Sequence, residues 1–96
     1  MGWEVDKKAG NDAYTEGKLD RALSCYARAL TDASLPTPDL AVILSNRAMV
    51  HLKMKNNELA VEDCTTCLTH QRDGPTAVKA LFRRYVGIFL FAAAFP

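Results

Sequence analysis

Three short stretches carry side chains that could do chemistry. Lys7 and Asn11 stand four residues apart, Asn46 sits within "SNRA", and Lys79 and Arg83 again stand four apart. Residues at i and i+4 share one face of a helix. Arginine can hold a carboxylate through two parallel hydrogen bonds, and lysine offers a mobile point charge. Each asparagine both donates and accepts, so it can hold a carboxylate oxygen or a peptide group. If the three stretches converge on one groove, three cations and two amides make a site for carboxylates. A free C-terminus beside an acidic side chain would present two of them close together. Singly, each feature has a plainer reading: the two pairs as solvated helix faces, Asn46 as a helix-packing hydrogen bond. Arg47 and Arg84 lie one residue past these positions and read as structural or solvated.

Other reactive side chains point less clearly to a site. "CTTC" at Cys64–Cys67 lacks two further ligands at zinc spacing and lacks the strand–helix setting of a redox motif. Cys64, Cys67 and Cys25 therefore read as buried structural thiols. His51 falls at a packing position, and His70 lies near a helix end, where it favours the helix dipole. Trp3 reads as a cap on the core. No nucleophile–base set or paired carboxylate stands out, so the expectation is a binding protein that is not an enzyme and needs no metal or cofactor.

Composition bounds the partners. The chain has 96 residues, 49% of them hydrophobic and 24% charged, with a formal net charge of +1. That is ordinary for a small globular domain and gives no reason to expect nucleic acid or an anionic membrane. The apolar run from Tyr85 to Phe95 is 11 residues, too short to span a bilayer. Asp6 stands where a myristoylation signal needs Ser or Thr. Three cysteines without a signal peptide suggest a reducing, cytoplasmic setting.

The elements that must position these residues repeat. At an offset of 38, Gly10 pairs with Ala48, Ala22 with Ala60, Tyr26 with Cys64, Ala29 with Cys67 and Leu30 with Leu68. The small residues recur where two antiparallel helices can approach closely, with Gly10 facing Ala22 and Ala48 facing Ala60. Apolar periodicity predicts helices over about 3–16, 19–31, 38–54 and 57–70, and a fifth from near Pro75. Gly17 ends the first, Thr37 is placed as an N-cap before Pro38, and Asn56 is placed in the turn conformation of Gly17. The expected fold is all-α, about five helices and no strand.

These residues resemble the tetratricopeptide repeat. Gly10, Tyr14, Gly17, Ala22, Tyr26 and Ala29 carry the first copy, and Leu44, Ala48, Leu52, Ala60, Cys64 and Cys67 the second. The offset of 38 is the family's 34 plus four residues that "SLPTP" can absorb. The resemblance implies a single-domain α-solenoid over 1–96 whose concave groove is lined by the first helix of each repeat. Its parts would be repeat 1 at about 3–36, repeat 2 at about 37–73, the first helix of a third at about 75–84, and an atypical tail at 85–96.

Lys7, Asn11, Asn46 in "SNRA", and Lys79 and Arg83 in "KALFRR" further resemble the two-carboxylate clamp of chaperone-binding members. That resemblance implies a co-chaperone that binds the acidic C-terminal tail, Glu-Glu-Val-Asp, of cytosolic seventy- and ninety-kilodalton heat-shock chaperones. A general scaffold for a different protein partner is the alternative. The third repeat looks cut short, with Tyr85 where a small residue is expected. Such a domain should expose apolar surface and self-associate, unless residues 85–93 extend the fifth helix and cover it.

Overall fold

The computed structural model describes residues 2–94. Met1, Phe95 and Pro96, at the outer limits of the expected domain and tail, lie outside the described residues. The chain forms five helices: α1 (Trp3–Thr15), α2 (Leu19–Leu30), α3 (Thr37–Lys53), α4 (Asn57–His70) and α5 (Gly74–Ala93). No strand occurs among the described residues. α1 packs against α2, α3 against α4, and α5 against both α4 and α3. Extents of 46 × 29 × 19 Å give an elongated body, as expected when helix pairs stack in one direction.

Small residues set the spacing between layers. Ala13, Ala22, Tyr26, Ala29, Ile43 and Val50 form one buried cluster between α1, α2 and α3. Ala41, Leu44, Ala48, Ala60, Cys64, Cys67 and Ala80 form the second, between α3, α4 and α5. Gly10 belongs to the first layer, where it packs against the Tyr26 ring. A Cβ added at Gly10 would stand 2.5 Å from Tyr26 Cε1, so glycine here makes room for an aromatic side chain.

The two helical turns repeat bond for bond. Gly17 N–H donates to Tyr14 O at 3.0 Å and Lys18 N–H to Ala13 O at 2.8 Å. Thirty-eight residues on, Lys55 N–H donates to Leu52 O at 3.1 Å and Asn56 N–H to His51 O at 2.8 Å. This is the left-handed helix ending that suits glycine. The residue in that conformation in the second turn is Lys55, with φ +64°, and not the expected Asn56. The repeat offset itself puts Lys55 opposite Gly17. Thr37 is likewise corrected: Pro36 is the capping residue, its carbonyl accepting from Leu40 N–H at 2.9 Å. Thr37 is already helical, and no side chain caps α3.

α5 runs unbroken through the expected repeat boundary to Ala93. Gly87 is buried where α5 crosses α4, and a Cβ there would lie 2.9 Å from Val61 Cγ2 and 3.2 Å from the Asn57 carbonyl oxygen. The fifth helix extends as expected and Gly87 of the tail is buried against α4, but much of the tail's apolar surface stays exposed. Ala77, Ala80 and Gly87 are the buried residues of α5. Val78, Phe82, Tyr85 and Phe89 on its opposite side are 65%, 68%, 72% and 63% exposed. A helix carries only one stripe toward its neighbour, and the extra apolar side chains lie on the wrong stripe to be covered.

Candidate functional site

Asn11 is the hinge of the candidate site. Its Oδ1 accepts a short hydrogen bond from the Tyr26 hydroxyl and a second from Asn46 Nδ2 at 3.2 Å. The repeat brings Tyr26 beneath α1 by packing it on Gly10. Burial pushes the Tyr26 phenol up to about 12, so it remains a proton donor at neutral pH. With its acceptor engaged twice, Asn11 has its amide N–H groups to offer a ligand. The sequence marks Tyr26 only as a repeat position paired with Cys64. Its positioning role depends on a contact across 15 residues of sequence, which spacing alone does not reveal.

Arg83 reaches back from α5 to α3. Its Nη1 donates to the Ser45 carbonyl at 2.8 Å and to Ser45 Oγ at 2.9 Å. Asn11, Asn46 and Arg83, with Tyr14, Tyr26 and Met49, line one cavity of about 170 Å³. Lys7 stands beside it, in a cleft of about 520 Å³ that Asn11 also lines. Lys7 Nζ is 3.3 Å from Asp39 Oδ1 and 5.9 Å from the centroid of the Trp3 ring. Trp3 itself packs against the first core cluster. Lys79, one turn before Arg83, is exposed and lines neither space. Four of the five expected residues thus form a continuous strip across α1, α3 and α5, and Lys79 stands apart from it. An approaching carboxylate would meet a cation at each end and amides between.

The neighbouring charges face elsewhere. Arg47 makes two bonds to Asp63 of α4, Nη2 to Oδ1 at 2.7 Å and Nε to Oδ2 at 2.8 Å. Asp63 is buried, and His51 Nε2 lies 3.7 Å from its Oδ2. His51 is itself buried in that layer, and burial lowers its pKa more than the Asp63 charge raises it. Arg84 lines a cleft on the α4–α5 side with Thr65, Leu68, Arg72 and Leu81. Cys25, Cys64 and Cys67 are buried free thiols. Burial pushes Cys64 up to about 11 and raises Cys67, so both stay protonated at neutral pH. Among the described residues, no helix is long and apolar enough to cross a membrane.

No protein-family model matches the chain. It is similar to human sperm-associated antigen 1, 35% identical over 79 residues, which cover 82% of this chain and 8% of that protein. It is also similar to human mitochondrial import receptor subunit TOM34, 34% identical over 82 residues, covering 81% of this chain and 26% of the relative. RNA polymerase II-associated protein 3 of Xenopus laevis is 34% identical over 68 residues, 71% of this chain and 10% of the relative. The chain thus matches only a segment of each of these longer proteins. Five helices stacked as antiparallel pairs, with small residues recurring at their contacts, give the chain a tetratricopeptide-like helical-solenoid fold.

Proposed function

We propose that the chain is a tetratricopeptide module of the two-carboxylate-clamp type, a cytoplasmic adaptor that works by binding. Its ligand is the acidic C-terminal tail of a seventy- or ninety-kilodalton heat-shock chaperone. Lys7, Asn11, Asn46 and Arg83 receive the terminal carboxylate and a nearby acidic side chain, and Lys79, one turn before Arg83, adds its charge from outside the cavity. The observation that carries this reading is the meeting of Asn11, Asn46 and Arg83 around one cavity, with Lys7 at its edge. A ligand with two neighbouring carboxylates can span the cationic poles on α1 and α5 while the amides hold the groups between them. Entry is cheap. The Lys7–Asp39 pair is partly exposed, and such pairs contribute about 0–1 kcal/mol. Relatives named as an import receptor subunit and as a polymerase-associated protein support a role in binding other proteins.

Calorimetric titration with a tail peptide, once with a free C-terminus and once amidated, tests the proposal. Micromolar-class binding that amidation abolishes is expected, since the interface is small. Equal binding of both peptides would count against it and favour a scaffold with a different ligand.

A further inference from the structure

The outward face of α5 is a second surface, opposite the side that packs on the domain. Val78, Phe82, Tyr85 and Phe89 follow one another at spacings of four, three and four residues. That alternation is the seam of a two-stranded helical coil. Leu81 and Ile88, also exposed, widen the seam along one edge. No charge lies within it. Arg83 turns away toward Ser45, Arg84 is half-buried, and Lys79 stands at the edge. A full aromatic side chain has roughly 150–250 Å² of surface, so these six residues expose about 700 Å² together. Each side of a stable protein interface buries about 800 Å², and isolated monomers rarely leave so large an apolar patch in water.

We propose that this face pairs with α5 of a second copy of the chain, giving a two-fold dimer. The occupant follows from the chemistry of the seam. With no charge to complement, it offers nothing to select an acidic or basic partner. An apolar stripe at coiled-coil spacing is complementary to itself, and a two-fold axis places each patch on its twin. Val5 on α1 and Leu59 on α4 are also exposed, but neither belongs to the seam. The dimer leaves the α3-facing side of α5, and hence Arg83 on Ser45, outside the contact.

Sedimentation equilibrium or light scattering on the full chain, over roughly 1–100 µM where such interfaces dissociate, tests the proposal. The wild-type chain should show a single species of twice the chain mass at the upper end, dissociating on dilution. Phe82→Glu with Phe89→Glu should raise the midpoint concentration at least tenfold, with helical circular dichroism unchanged. If that pair disturbs folding, Tyr85→Lys alone serves, since its ring is the most exposed of the seam. Val5→Glu should dimerise like the wild type. A wild-type monomer throughout, polydisperse aggregates in place of a dimer, or a folded seam variant that dimerises unchanged would each overturn it.

Discussion

Asn46 on α3 donates its side-chain amide to Asn11 on α1 at 3.2 Å, which ties the first helices of two repeats together inside the groove. The bond makes Asn11 a shared element of structure and of the candidate site. Its orientation rests on two donors, of which Tyr26 is the buried one. Tyr26→Phe keeps the ring on Gly10 and removes only the hydroxyl. Losing one such bond costs about 0.5–1.5 kcal/mol. Tail-peptide affinity should fall by about threefold to tenfold by calorimetry, while helix content stays constant.

The cations of the strip are not equivalent. Arg83 lines the cavity, whereas Lys79 stands outside both spaces. Arg83→Ala should weaken peptide binding by about 1–3 kcal/mol, the scale for a charged hydrogen bond. Lys79→Ala should cost less than half of that, and its loss should shrink further in high salt. Fluorescence anisotropy at two salt concentrations reads both. Equal losses would mean that the ligand lies further along α5 than the cavity suggests.

Arg47 and Asp63 bind α3 to α4 through two bonds, with the carboxylate buried. Arg47→Ala would leave that carboxylate without its main partner. The expected cost is about 2–4 kcal/mol in urea unfolding, since breaking such a pair strands a charge. Arg47→Lys should recover only part, because an ammonium cannot make the paired contact.

The two turns offer a matched pair of substitutions. Lys55 holds φ +64° and Gly17 holds φ +77°. A side chain in this region costs about 1 kcal/mol relative to glycine. Lys55→Gly should raise the melting midpoint, and Gly17→Ala should lower it. Open space around Gly17 means that the second effect is purely one of backbone.

The pH profile should fall at both ends. His51 titrates lower when folded, chiefly through burial. Its unfolded form binds a proton first as pH drops, so stability is held above about 6.5 and lost below it. Tyr26 and Cys64 are raised by burial to about 12 and about 11. Their unfolded forms ionise first, so stability declines as pH rises past their usual 10.0 and 9.0. Unfolding midpoints against pH should flatten on the acid side in His51→Gln.

Much of this architecture was legible in advance, because its cause is periodic. Gly10 and Ala48, Ala22 and Ala60, and Ala29 and Cys67 recur at one offset, and close helix packing demands small residues there. The starts of α2 and α4 follow from the same period. What escaped reading depends on single contacts between distant residues. Tyr26 reaches Asn11 and Arg83 reaches Ser45 only after the helices have stacked. The start of α3 was misplaced by a residue because Thr37 and Pro36 both suit a helix entrance. The close approach of Gly87 to Val61 and the Asn57 carbonyl is another contact that appears only once α5 has stacked on α4.

α5 is one uninterrupted helix of 20 residues, about 30 Å long. Near its start it carries Lys79 and Arg83, and along its outer side the apolar seam. A straight rod transmits orientation from end to end. The seam and Arg83 thus ride on one rigid element while facing different sides of it. Joined back to back in a dimer, two such rods would hold the two grooves at a fixed distance. A partner with two flexible tails would then find its second tail already close to an empty groove, and would leave far more slowly than a partner with one.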